Sequence, residues 1–241
     1  MMHHSISRAF NRAANTYDQY AILQHTVGKK LISLLPSNRH FQHTIDLGCG
    51  TGITTEQLIL HHSQEQMHAI DIAPEFLAIA KKRLAAYPIH LHLENFDIKS
   101  WPKDSFDLIF SNMALQWSCH LENMLLAHLS YLKNNGYMAF SLPLNGTFDE
   151  LHHAFSILTL PDNQQLLDFF NRIDCELVLA QQETHIQTFT NTLEALRSIR
   201  LVGATHTSEK RLAPTLAKSL VRAHHITQLT YIIGYYILRK R

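Results

Sequence analysis

The chain predicts a three-layer α/β fold: a mostly parallel, seven-stranded sheet with helices on both faces. Three observations carry this. Across residues 43–142, short β-prone runs alternate with helical runs through short connections, as right-handed crossovers require. The first strand runs directly into Gly48, Gly50 and Gly52 and then into a helix start. Two long β-prone runs, 176–188 and 229–240, close the chain.

Residues 5–35 read as two amphipathic helices. Ile6, Ala9, Phe10, Ala13 and Ala14 recur at helical spacing in the first. In the second, Leu23, Val27, Leu31 and Leu34 share one side until Pro36 stops it. These helices either brace the sheet edge or fold across an open cleft with Arg12 and Tyr17 pointing inward. Ile45 and Leu47 mark the first strand and 53–60 the first core helix. The second strand, 67–71, ends in an acid, and Pro74 opens a helix bearing Phe76, Leu77, Ala80 and Leu84. A third strand spans 89–94 and a fourth 105–112.

The fourth strand runs into a loop, 113–117, at the carboxyl edge, where open α/β sheets bind their ligands. Trp117 suits either a cleft wall or a core anchor. A helix over 121–132, closed by Asn134, Asn135 and Gly136, leads to the fifth strand at 137–142. Beyond Gly146, helices are expected at 148–158, 163–172, 191–202 and 213–225. The domain division is therefore a single domain, 1–241, with a helical cover (1–40), a ligand-binding core (41–145), covering helices with a late strand (146–228) and a final strand (229–241).

Composition narrows the function. At 241 residues and 46% apolar content, one α/β domain with additions fits. A net charge of +1 gives no sign of nucleic acid or an anionic membrane. Cys49, Cys119 and Cys175 lie far apart, arguing against a disulfide framework or zinc site and for the reducing cytoplasm. No apolar run precedes a cleavage site, and the stretch 231–238 is too short to span a bilayer. Eighteen histidines invite a metal, yet three adjacent pairs diverge on helices. His90 and His92 share a strand face without a companion acid or thiol pair, so no metal site is expected.

The glycine turn carries the chemistry. Alternate glycines allow positive φ and let a ligand lie against the backbone, beside free N–H groups at the helix start. The spacing Asp46-x-Gly48-x-Gly50-x-Gly52 differs from the dinucleotide fingerprint. It resembles the turn of class I S-adenosylmethionine methyltransferases, a resemblance that implies a Rossmann-like, seven-stranded sheet with an antiparallel last strand. Asp71, roughly twenty residues on, is placed to accept ribose hydroxyls, unless it is only a solvated strand end. Asp97 with Ile98 is expected to hold the adenine amino group and cover its ring. Cys49, Ile72, Asn112 and Met113 complete the expected cofactor contacts, with Arg12 from the cover.

The resemblance extends further. Phe10-Asn-Arg-Ala-Ala-Asn-Thr-Tyr17 with Gln24, Ser111-Asn-Met-Ala-Leu-Gln-Trp117, Asn145-Gly-Thr-Phe-Asp-Glu-Leu-His152, Arg197 through Thr205, and Leu229-Thr-Tyr231 are similar to the malonyl-acyl-carrier-protein O-methyltransferases of biotin synthesis. The connection at 159–163 is shorter than that family's pattern. The resemblance implies methyl esterification of a malonyl thioester, borne on acyl carrier protein or coenzyme A, with S-adenosyl-L-homocysteine as the product. It implies Arg197 or Arg200 as carboxylate anchors, though either could belong to a solvated helix face. Tyr17 would orient the carboxylate or close over the donor. An acidic carrier would meet positive charge, for which Lys210, Arg211, Lys218, Arg222 and 239–241 are candidates. Other readings stay open: methylation of another small acid or a quinone-type ring, or a non-catalytic S-adenosylmethionine-binding protein.

Overall fold

The computed structural model describes residues 2–37, 39–151, 158–203 and 226–241. Helix α1 (Met2–Tyr20) and helix α2 (Ile22–Leu34) precede strand β1 (Phe41–Leu47). Then come α3 (Ile53–His61), β2 (Gln64–Asp71), α4 (Pro74–Arg83), β3 (Ile89–Leu93), β4 (Phe106–Asn112), α5 (Leu121–Tyr131) and β5 (Leu132–Pro143). Helix α6 (Asn163–Arg172), β6 (Cys175–Thr188), α7 (Thr192–Leu201) and β7 (Gln228–Lys240) follow. The strands form one seven-stranded sheet in the order β3-β2-β1-β4-β5-β7-β6. β1 to β5 pair in parallel, and β7 runs antiparallel between β5 and β6, as expected of the last strand.

The strand order reverses between the paired strands β1 and β4, and the chain leaves them for opposite faces of the sheet, to α3 after β1 and to α5 after β4, which opens a crevice at their carboxyl ends. The strands at the centre are apolar on both faces. Phe41, Leu108, Phe110 and Tyr235 pack beneath α2, α3 and α7, while Ile45, Ile109, Phe140 and Tyr236 pack beneath α5 and α6. Two helix starts are fixed by identifiable groups. Pro74 opens α4, whose first turn also receives the Asn11 side chain from α1, with Glu75 N donating to Asn11 Oδ1 at 3.1 Å. Asn191 caps α7 by accepting from Glu194 N at 3.0 Å.

Three expectations need correction. Helix α5 stops at Tyr131 and β5 begins at once, because Asn135 takes φ 61° within an irregular β4–β5 register rather than in a separate turn. Helix α6 is no part of the cover: Leu166, Phe169 and Phe170 bury it against the sheet face opposite α7. The helix expected at 148–158 is a short 3-10 turn at Asp149–Leu151, with 152–157 outside the described residues. The helix expected at 213–225, with Lys210, Arg211, Lys218 and Arg222, also lies outside them. Among the described residues, no helix is long and apolar enough to cross a membrane.

Candidate active site

A cavity of about 380 Å³ opens at the carboxyl edge of the sheet. Its floor is the glycine turn, where Gly48 and Gly50 take φ 74° and 58°. Asp71 fixes that turn from the end of β2. One carboxylate oxygen accepts from Gly50 N and the other from Ala73 N, both at 2.8 Å. The side walls are aromatic: Phe10 stands edge-on to Trp117 with centroids 5.6 Å apart, and Phe76 packs on both Phe10 and Tyr17.

The cover is built from α1 and α7. Ser7 Oγ donates to Ile72 O at 2.9 Å, and Thr16 Oγ1 to Leu201 O at 3.1 Å, so α1 ties the cofactor half to the last covering helix. Gly203 permits this closeness, because a Cβ there would lie 2.6 Å from the Phe10 ring. At the far end of α1, Asp18 accepts from Thr51 Oγ1 at 2.5 Å and pairs with Arg83 at 2.7 Å. Of the two expected arrangements, α1 takes the one across the cleft, with Tyr17 inward, whereas α2 packs on the sheet.

A polar compartment of about 30 Å³ adjoins the main cavity behind Tyr17, Gln24 and Asn112. His25 Nε2 and Asp46 Oδ1 are buried there without hydrogen-bond partners among the described residues. Burial pushes the Asp46 carboxyl up to about 7 and lowers the His25 imidazole. Stranded polar atoms beside a helix start suit a ligand carrying both an ammonium and a carboxylate. S-adenosylmethionine has such an end, and its nucleoside end fits the Gly48–Gly50 floor, so the residues present match the cofactor.

Residues 45–136 match the family model described as "Methyltransferase domain". Over 239 residues the chain is 33% identical to malonyl-(acyl-carrier protein) O-methyltransferase 2 of Coxiella burnetii, covering 98% of this chain and 95% of that one. The chain belongs to the malonyl-(acyl-carrier protein) O-methyltransferase family. A member from Salmonella typhimurium is 31% identical over 227 residues, covering 90% of this chain and 86% of that protein. Among solved structures, the N-methyltransferase NodS of Bradyrhizobium japonicum, in complex with S-adenosyl-L-homocysteine, aligns with a TM-score of 0.58 at 13% identity. That alignment covers 92% of this chain and 87% of NodS. An S-adenosylmethionine-dependent methyltransferase of Mesorhizobium loti also gives 0.58, at 18% identity over 88% and 96%. These two carry the fold alone.

On this family member, Tyr17, Gly48, Gly50, Asp71, Ile72, Asn112, Met113 and Arg200 all line the cavity. Asp46 and Cys49 line the smaller compartment instead, and burial pushes the Cys49 thiol well up, leaving it unreactive. Other expected contacts fall elsewhere. Gly52 faces Ala80 and Leu84, letting α3 approach α4, and is no ligand surface. Arg12 is exposed on the outer side of α1, because Ala9, Ala13 and Ala14 take the inner side. Arg197 is likewise exposed and absent from the cavity wall, one turn before Arg200, which is also exposed but reaches that wall.

The adenine side also differs. Asn95 Oδ1 accepts from Asp97 N at 2.9 Å, and this turn sends Ile98 outward to 80% exposure. Asp97 accepts from Cys119 N at 3.0 Å, off the cavity wall, and Phe96 lines the cavity in their place. Trp117 is a cleft wall. Of the terminal cations, Arg239 pairs with Glu176, Lys240 with Asp104 and Arg241 with Asp174. They sit at the end of the sheet away from the cavity, since Arg239 lies opposite Tyr137 near the start of β5. Sequence reasoning missed His25, Phe76, Phe96 and Gln116; of these only Gln116 carried a signal, through the Gln116-Trp117 motif.

Two predictions arise here. A Cβ on Gly48 would lie 2.3 Å from that of Ala114, at a φ costing an L-residue roughly 1–2 kcal/mol. Gly48→Ala is therefore expected to weaken S-adenosylhomocysteine binding by at least about tenfold in a calorimetric titration. Burial also raises Asp71, to about 6, and Asp46 to about 7, from an ordinary 3.8. Between about pH 4 and 7 the native protein holds protons that the unfolded chain releases. Stability of the ligand-free protein is expected to fall as pH rises through that window, in urea unfolding at graded pH.

Proposed function

We propose that this protein transfers the methyl group of S-adenosylmethionine to the free carboxylate of a malonyl group held as a thioester on acyl carrier protein. One observation carries the reading: Arg200 stands on the wall of the same, mostly apolar cavity whose floor is the Gly48–Gly50 turn. The names of the relatives favour the carrier protein over coenzyme A as bearer. The setting we propose is the reducing cytoplasm, since among the described residues no disulfide joins Cys49, Cys119 and Cys175.

When bound, S-adenosylmethionine supplies a methyl group on a sulfonium, whose transfer to a carboxylate oxygen cancels one positive and one negative charge. The chain's tasks follow from that. Asp71 accepts from ribose hydroxyls with the lone pairs left over from Gly50 and Ala73. Phe10, Phe76, Phe96 and Trp117 keep water out, which strengthens the attraction between the reacting charges. Arg200 offers a planar fork to the carboxylate, and Tyr17 a hydroxyl kept protonated by burial. No base is needed, because a carboxylic acid with a pKa near ~4 is already ionised at neutral pH. Holding the two groups in line is worth up to ~7–11 kcal/mol in favourable systems.

Incubation with methyl-labelled donor and malonyl-carrier protein, followed by mild alkali, tests the reading. Label released as methanol is expected. Label that survives alkali on nitrogen or carbon contradicts it.

A further inference from the structure

Among the described residues beyond β5, the cavity walls are almost wholly apolar, with Phe148, Leu151, Leu196 and Ile199 among them. Three polar side chains interrupt them: Thr147, Arg200 and Tyr231. The Thr147 hydroxyl is spent, since it donates to Ile232 O at 3.1 Å and accepts from Ile232 N at 2.9 Å. Tyr231 differs. Its ring is buried and edge-on to Phe148, with centroids 4.7 Å apart, while its hydroxyl has no hydrogen-bond partner among the described residues. The neighbouring Thr230 is clamped by Glu150 through both its backbone N–H and its hydroxyl, so the strand presenting Tyr231 is held in place.

We propose that Tyr231 is a substrate-positioning residue whose hydroxyl donates to the thioester carbonyl of the malonyl group, while Arg200 takes the carboxylate. This rests on the function proposed above. A malonyl thioester carries two acceptor groups one carbon apart, an anionic carboxylate and a neutral carbonyl. The charged fork matches the first, and a neutral donor matches the second without a further desolvated charge. Burial, reinforced by Glu150, raises the phenol well above its ordinary value, so the donor keeps its proton. A hydroxyl left stranded in an apolar wall also discriminates, because an acid lacking the carbonyl leaves it unpaired.

The test is a cycle between protein hydroxyl and substrate carbonyl, read as binding in the presence of S-adenosylhomocysteine. Wild type and Tyr231→Phe are titrated with two carrier proteins. One bears malonyl as a thioester; the other bears the 2-carboxyethyl thioether, which keeps the carboxylate and length but lacks the carbonyl. The wild type is expected to prefer malonyl by about three- to tenfold, and Tyr231→Phe to erase that preference while binding S-adenosylhomocysteine unchanged. Equal weakening of both carriers by the substitution, or a wild type that does not distinguish them, overturns the proposal. A wild type that binds neither carrier, yet still binds S-adenosylhomocysteine, overturns the functional reading itself and Tyr231's role with it.

Discussion

Arg200→Ala is expected to lower kcat/KM for malonyl-carrier protein by about 10- to 100-fold, with S-adenosylhomocysteine affinity unchanged. Hydrogen bonds to a charged group are worth about 1.5–3 kcal/mol, and among the described residues lining this mostly apolar chamber Arg200 alone is cationic. Part of Arg200 faces solvent at the rim, which holds the effect at this size. Arg200→Lys should recover only part of the loss, because an ammonium keeps the charge but not the fork. Arg197→Ala is the control. It is exposed one turn earlier on the same helix, does not line the cavity, and should change kcat/KM by less than about twofold, as surface substitutions do.

Asp71→Asn is expected to weaken S-adenosylhomocysteine binding by about two orders of magnitude. The carboxylate accepts two backbone N–H bonds that set the turn and keeps lone pairs for ligand hydroxyls. An amide has one acceptor oxygen, so its NH₂ must face either Gly50 N, Ala73 N or the ligand, at a cost of ~1–3 kcal/mol for each stranded group. The pH dependence has a definite sign. The ionised form binds hydroxyl donors, and burial puts the group at about 6 in the free protein. Wild-type affinity should therefore be level above about pH 7 and fall as pH drops through 6. In Asp71→Asn, the part of that fall due to this group should vanish.

Much of the site was legible from local pattern. The strand, the alternate glycines and the acid closing the next strand act over short stretches, and each lies where it was expected. The alternation of strand and helix also foretold the parallel sheet, and the resemblance its antiparallel last strand. What could not be read was side-chain phase. Arg12 and Arg197 sit on helices whose inner faces are taken by small or apolar groups, Ala9 and Ala13 in one case and Ile199 in the other.

Loops withheld more. A single side-chain turn at Asn95 exchanges Phe96 for Ile98 on the cavity wall, and nothing in the composition of that loop announces it. His25 lay hidden in an amphipathic helix as one histidine among many. Its position becomes meaningful only because Asp46 and the start of α3 face the same small compartment.

The central claim is that donor and carboxylate anchor share one chamber beneath α1 and α7. A co-crystal with S-adenosylhomocysteine tests it most directly. The ribose hydroxyls should lie on Asp71, the amino-acid end in the compartment of His25 and Asp46, and the sulfur should face the space between Tyr17 and Arg200. A sulfur walled off from Arg200, or a ligand lying elsewhere, would contradict the account.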